Sequence, residues 1–140
     1  MTIAYFDSSG IVKLLIPGEA GAELALASYR DAPSRATSGV AYPECRAAVA
    51  AAVRSSRLDS TSGRNAVEIL ANLWMTVTRV IVTVDVAQLA GELAARHRLR
   101  GFDAIHLASA LSVGADIAMV TWDKDLAHAA HDEGLTTIPA

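Results

Sequence analysis

Short, nearly continuous apolar runs punctuate this chain: Ile3-Ala4-Tyr5-Phe6, Val80-Ile81-Val82-Thr83-Val84 and Ile117-Ala118-Met119-Val120-Thr121. Runs of this length and β-branched content predict strands buried on both faces. Arg35 to Ser38 and Leu135 to Ile138 supply two shorter strand segments. Between them, apolar positions recur at helical spacing. One short helix covers Ile11 to Ile16 and is stopped by Pro17-Gly18, and a second covers Glu19 to Tyr29 and closes before Pro33. Tyr42-Pro43-Glu44 opens an alanine-rich helix to about Ser55, with Pro43 tolerated in its first turn. Thr61 to Trp74 places Val67, Leu70 and Trp74 on one face. Further helices are expected from Val86, capped by Asp85, to about Arg98; from Asp103, after a break at Gly101-Phe102, to about Val113; and from Asp123 to His131.

Strands alternating with helices predict an α/β fold with a mostly parallel central sheet flanked by helices. At 140 residues the chain is expected to form one domain spanning 1–140. A hydrophobic fraction of 52% is enough for a proper core, although much of it is alanine, which favours close helix packing over bulky side chains. The single cysteine, Cys45, excludes an intramolecular disulfide and reads as a small buried hydrophobe rather than a catalytic thiol. MTIAYFD reaches an acid by position 7, which is not the pattern of a signal peptide. No apolar run approaches the roughly 20 residues of a membrane span, so a cytoplasmic protein without membrane contact is expected. The net charge of −3, from 12 Lys+Arg and 15 Asp+Glu, argues against a non-specific nucleic-acid coat. It leaves open an enzyme that places its acids in a metal site and its arginines around the rim.

The acids carry the chemistry. Asp7 and Asp123 follow strands, Asp103 starts a helix after a break, and Glu44 stands in the first turn of another helix. Taken singly, each reads as a helix cap or first-turn acid worth about 0.5–2 kcal/mol. Asp31, Asp59 and Asp85 are read that way and given no chemistry. In a parallel sheet, however, residues ending the strands lie at one edge, where α/β domains carry their sites. Two carboxylates about 4 Å apart repel by roughly 4 kcal/mol at an effective dielectric near 20. Four of them in one pocket require cations or protons. A carboxylate-only set, without a His/Cys cluster, suits Mg²⁺ or Mn²⁺ and argues against zinc.

Four segments resemble the PIN-domain nucleases, in particular the VapC-type toxins of toxin–antitoxin pairs. Tyr5-Phe6-Asp7-Ser8-Ser9 with Val12-Lys13-Leu14 is similar to the family's opening strand and helix. Tyr42-Pro43-Glu44 matches its glutamate, Asp103-Ala104-Ile105-His106-Leu107-Ala108 is the most specific segment, and Thr121-Trp122-Asp123-Lys124-Asp125-Leu126 resembles its closing motif. The resemblance implies a three-layer PIN-like fold and an endoribonuclease in which metal-activated water cleaves RNA. Asp7, Glu44, Asp103 and Asp123 would be its catalytic and metal-binding residues, with Asp7 and Asp103 as direct ligands. Ser8 and Thr121 would orient these carboxylates. Mg²⁺ is the implied cofactor, with Mn²⁺ as substitute. The implied partners are RNA, a cognate antitoxin and a second copy of the chain.

Asp125 rivals Asp123 as the closing acid. His106, one turn after Asp103, is given a structural role, and His97, His128 and His131 are read as solvated. Lys13, Arg98 and Arg100 are candidate RNA contacts, together with Arg96, Arg46 and Lys124 near the acids. Trp74 reads as core, whereas Trp122 is open between core packing and base stacking. The alternatives are a metal-dependent phosphatase and a receiver-like phosphate-binding module. The first wants a second Asp two places after Asp7, where Ser9 stands, and the second an acidic neighbour that Asp7 lacks.

Overall fold

The structure is a computed structural model that describes residues 2–114 and 116–140. In chain order its elements are β1 (Ile3–Phe6), α1 (Ser8–Leu15), α2 (Ala22–Asp31), β2 (Ser34–Ser38), α3 (Ala41–Arg54), α4 (Ser60–Trp74), β3 (Thr78–Val80), α5 (Val84–His97), α6 (Gly101–Val113), β4 (Ile117–Val120), α7 (Lys124–Asp132) and β5 (Thr136–Ile138). The strands form one sheet in the order β3-β2-β1-β4-β5, and every pairing is parallel. This is the expected α/β architecture.

Strand periodicity divides the core in two. Tyr5, Ala36, Ile117 and Met119 pack with Val86, Leu93, Leu107 and Leu126 of α5, α6 and α7. Ala4, Phe6 and Val120 pack with Ile11, Leu15, Val49 and Leu70 of α1, α3 and α4 on the other face. The result is three layers. Leu70 is buried, with Val67 and Trp74 packed against the same cluster, so this apolar face of α4 is ordinary core. No helix among the described residues is long and apolar enough to cross a membrane.

The β-branched run after Trp74 behaves differently from its expectation. Only Thr78–Val80 is strand, at the sheet edge beside β2. Ile81 and Val84 are exposed, and the Thr83 side chain accepts the Val86 N–H at 3.2 Å, so Thr83 rather than Asp85 caps α5. High β propensity lost to a hydroxyl placed for helix capping. The second helix starts at Ala22 rather than Glu19, because Gly21 takes a left-handed φ of 90°. Gly101 belongs to α6, whose N-cap is Arg100, which leaves Asp103 in the first turn. Of the three acids given no chemistry, Asp59 caps α4, Asp85 lies in the first turn of α5 and Asp31 ends α2.

The chain order places a switch point between β1 and β4. Their register runs from Ile3 opposite Ile117 to Phe6 opposite Val120, so Asp7 and Thr121 leave the sheet as neighbours. Gly10 lets α1 sit down on this edge: a Cβ there would lie 2.6 Å from the Val120 carbonyl oxygen and 3.2 Å from Phe6 Cδ2. Gly10→Ala should therefore destabilise the domain by about 1–3 kcal/mol, because the obstructing atom is sheet backbone. Gly91→Ala, on α5 where a Cβ meets nothing, should instead stabilise it by about 0.8–1 kcal/mol. Denaturant midpoints of the two variants check these opposite signs.

Candidate active site

Asp7 ends β1 and caps α1, and its carboxylate is held on both oxygens. Oδ1 accepts from the Gly10 N–H at 2.9 Å and from Ser9 Oγ at 2.7 Å. Oδ2 accepts from Thr121 Oγ1 at 2.6 Å. A carboxylate has about four lone-pair sites, so one remains, on Oδ2. Thr121 also accepts the Asp123 N–H at 3.1 Å, and Ser9 Oγ accepts the Trp122 N–H at 2.9 Å. Two hydroxyls thus tie the end of β1 to the turn after β4.

Asp123 has the same double role. Its Oδ1 accepts the Leu126 N–H at 3.0 Å and caps α7, while its Oδ2 accepts from Arg100 Nη2 at 3.4 Å. Arg100 Nε lies 3.2 Å from Asp103 Oδ2, so one guanidinium spans Asp103 and Asp123. Asp125 stands exposed in the first turn of α7. The structure therefore brings Asp123, not Asp125, to Asp103.

Glu44 arrives from α3 in the opposite helical layer. Ser8 Oγ donates to its Oε1 at 2.5 Å, and His106 Nε2 lies 2.8 Å from the same oxygen. His106 is buried on α6, and its Nδ1 lies 2.9 Å from the Tyr5 hydroxyl. Burial raises the Tyr5 pKa, so the phenol keeps its proton. With Nδ1 at Tyr5 and Nε2 at Glu44, both ring nitrogens are engaged and the imidazole is fixed between strand and helix. The bonds from Ser8 and His106 both go to Oε1 and leave Oε2 as the oxygen Glu44 can present.

Sequence reasoning underrated three residues. Ser9 links Asp7 to Trp122, His106 fixes Glu44, and Arg100 is paired with site acids rather than free for RNA. The signals were an Asp-x-Ser at a strand end and a histidine one turn after Asp103. Among the other cations, Lys13 pairs with Glu19 at 3.6 Å and stands 5.7 Å over the Trp122 ring. Arg98 is exposed in the left-handed residue that ends α5. Arg96 pairs with Glu133, and Arg46 lies over Tyr42. His97 is not solvated: it is largely buried, with Nε2 2.9 Å from Glu133 Oε1. His128 and His131 are exposed.

Electrostatics sets the acids apart from ordinary caps. Burial raises the Asp7 pKa, outweighing the pull of His106 and the bonds from Thr121, Gly10 and Ser9. Burial and the neighbouring Asp123 charge raise Asp103, against the pull of Arg100. Glu44 is lowered, because the bonds from His106 and Ser8 overcome its partial burial. Burial pushes the Cys45 thiol up to about 12, with Glu44 and Asp7 adding to the effect, so it is inert, as its sequence context implied. Among the described residues, no three acid, histidine or cysteine side chains are gathered closely enough to hold a metal ion as they stand. The donors offered are nonetheless all carboxylate oxygens, which fits a hard divalent cation and not zinc.

Asp7 gives a stability prediction with a definite sign. Its folded pKa exceeds its unfolded one, so its favourable contribution is complete below the unfolded value near 3.9 and is lost as pH rises through the folded value. In chelator, Asp7→Asn should melt above the parent at neutral pH, by about 4 °C for each kcal/mol relieved. The gap should close on acidification towards about pH 4. Calorimetric melts across pH check this, and an Asn variant that melts lower at neutral pH contradicts it.

Known proteins share this fold. The PIN domain family profile matches residues 4–132. Ribonuclease VapC45 of Mycobacterium tuberculosis (strain CDC 1551 / Oshkosh) is 42% identical over 141 aligned residues, covering 100% of this chain and 97% of that protein. The crystal structure of M. tuberculosis VapC20, described as a sarcin-ricin loop cleaving toxin, superposes with a TM-score of 0.70 at 22% identity and covers 95% of this chain and 96% of its own. A toxin–antitoxin complex from Klebsiella pneumoniae superposes at 0.62 with 23% identity, covering 89% of this chain and 90% of the matched one. The parallel sheet with its acidic switch point, the profile match and the full-length relative lead to one conclusion: the chain belongs to the PIN domain family, among its VapC-type members.

Proposed function

We propose that this protein is a divalent-metal-dependent endoribonuclease that acts in the cytoplasm as the toxin of a toxin–antitoxin pair. The observation that carries the reading is the single guanidinium spanning Asp103 and Asp123, whose mutual repulsion already recruits a cation. The name ribonuclease borne by a relative 42% identical over the whole chain supports RNA as the substrate.

Asp7, Asp103, Asp123 and Glu44 would hold Mg²⁺, with Mn²⁺ as substitute. When bound, such an ion supplies a nucleophilic water at neutral pH and stabilises the leaving oxygen. The chain's part is orientation. Ser9, Gly10 and Thr121 leave Asp7 one lone pair on Oδ2, while Ser8 and His106 leave Glu44 its Oε2. Asp123 presents Oδ2 because its Oδ1 is engaged in capping. Arg100 has an exposed side chain, so it can leave the carboxylates for solvent or an RNA phosphate. Product ends of 5′-phosphate and 3′-hydroxyl are expected, and no covalent nucleophile is needed.

The alternatives find no support at the site. Ser9 fills the place of the phosphatase's second aspartate and is committed to Asp7 and Trp122. Asp85, the acid after the edge-strand run, is separated from Asp7 by β2. An antitoxin partner is supported by the VapC-type relative and by the neighbour solved as a toxin–antitoxin complex. Exposed apolar side chains such as Met75, Ile81, Val84 and Phe102 offer surface for it or for a second copy.

The purified chain should cleave RNA with Mg²⁺ or Mn²⁺ and lose the activity in chelator. Asp7→Asn and Asp103→Asn should each lower the rate by about a hundredfold or more at unchanged folding, by analogy with the removal of other transition-state-stabilising groups. Gel assays and mass spectrometry of the ends read this out. Cleavage that persists in chelator, or in folded Asp103→Asn, overturns the proposal. A small protein encoded next to this gene should bind the chain and suppress cleavage.

A further inference from the structure

The acid cluster opens sideways. A groove of about 420 Å³ leads from it between α7 and the strand β5, lined by Trp122, Asp123, Lys124, His128, His131 and Thr137. We infer that this groove is a subsite for single-stranded RNA on one side of the scissile phosphate, with Trp122 as a stacking platform and Lys124 and His128 as phosphate contacts. The assignment rests on the nuclease reading above.

Continuity is the first argument. Asp123 belongs both to the acid cluster, through Arg100, and to the groove wall. A strand whose phosphate lies at the acids must continue somewhere, and this groove begins at one of them. The larger cavity between α3 and α4, about 770 Å³, is lined by none of the four acids.

Trp122 provides the second. Its backbone N–H is held by Ser9, and its ring lies so close to Gly21 that a Cβ there would sit 2.6 Å from Nε1. Lys13 Nζ stands 5.7 Å over the ring. The indole also packs against the core cluster that includes Ile11 and Leu15, so it is fixed before any ligand arrives, and the part that remains exposed lines the groove. A base stacking on a preordered ring forfeits little side-chain freedom, and stacking tolerates any base.

The third is charge. Lys124, His128 and His131 follow at i, i+4 and i+7, which puts them along one face of α7. Asp132 lies 3.6 Å from His128 and 4.0 Å from His131, so Lys124 is the permanent positive charge of this face, with His128 one helical turn after it. All three are exposed, so their side chains are accessible to a backbone of phosphates.

The test uses the full chain carrying Asp7→Asn, with Mg²⁺ present, and fluorescein-labelled single-stranded oligouridylate read by anisotropy. Adding Lys124→Gln and His128→Gln should weaken binding about tenfold and flatten the salt dependence by about 0.7 in log–log slope for each phosphate that is no longer neutralised. Trp122→Leu should weaken it similarly and Trp122→Phe should restore it, with melting curves showing that each variant folds. Arg30→Gln on α2 removes a comparable charge and should change nothing. Unchanged affinity and salt slope in the double variant overturn the subsite, as does a parent that fails to bind the oligouridylate. So does a double variant that binds RNA normally but no longer binds an antitoxin partner. With Asp7 restored, cleavage at an unaltered KM in the double variant removes the subsite and leaves the nuclease standing. Binding that the double variant loses, in a chain that cleaves no RNA, shows an RNA-binding groove but overturns the nuclease and with it the groove's place beside a scissile phosphate.

Discussion

Everything at the candidate site depends on the parallel pairing of β1 with β4. It brings together two chain segments more than a hundred residues apart, and a hydrogen bond of 2.6 Å from Thr121 to Asp7 closes the junction. Because α1 after β1 and α7 after β4 pack on opposite faces of the sheet, the chain diverges at this edge and leaves a gap there. Ser9 and Thr121 fill that gap with hydroxyls that satisfy backbone and carboxylate at once. Had apolar residues stood there, Asp7 would keep only the Gly10 N–H and its Oδ2 would be buried without a donor, which is costly.

The cap and ligand readings of these acids prove to be compatible. Asp7 and Asp123 each give Oδ1 to a helix N-terminus and keep Oδ2 for a second partner, Thr121 for one and Arg100 for the other. Capping is thus the device that orients the second oxygen. The helix dipole eases the burden of a buried negative charge, but for Asp7 it does not remove it, as the raised pKa shows. A site of this kind opposes the stability of its own fold, which the two-sided core makes good elsewhere.

Much of this was legible beforehand because the local rules agreed with the global ones. Ile3–Phe6 and Ile117–Val120 are apolar throughout and central in the sheet, so periodicity, burial and strand ends coincided, and with them Asp7 and Asp123. Legibility failed at the edge. Val80 to Val84 has strand composition, but an edge position offers pairing on one side only, and Thr83 was better placed to start a helix. It failed again where side chains pair across layers. Nothing local to His106 announces Glu44, 62 residues away, and nothing near His97 announces Glu133. Arg100 was noticed for its charge, yet its partners belong to two different elements, one of them 23 residues on.

The two core layers contribute separately to the acid set: Glu44 rides on α3, packed on one face of the sheet, and Asp103 on α6, packed on the other. Neither layer alone carries the set, and β4 enters the sheet only after both have been synthesised. The four carboxylates therefore share one edge only when both helical layers are packed and β4 lies beside β1, so an intact acid edge reports the folding of the whole sheet rather than of any single segment.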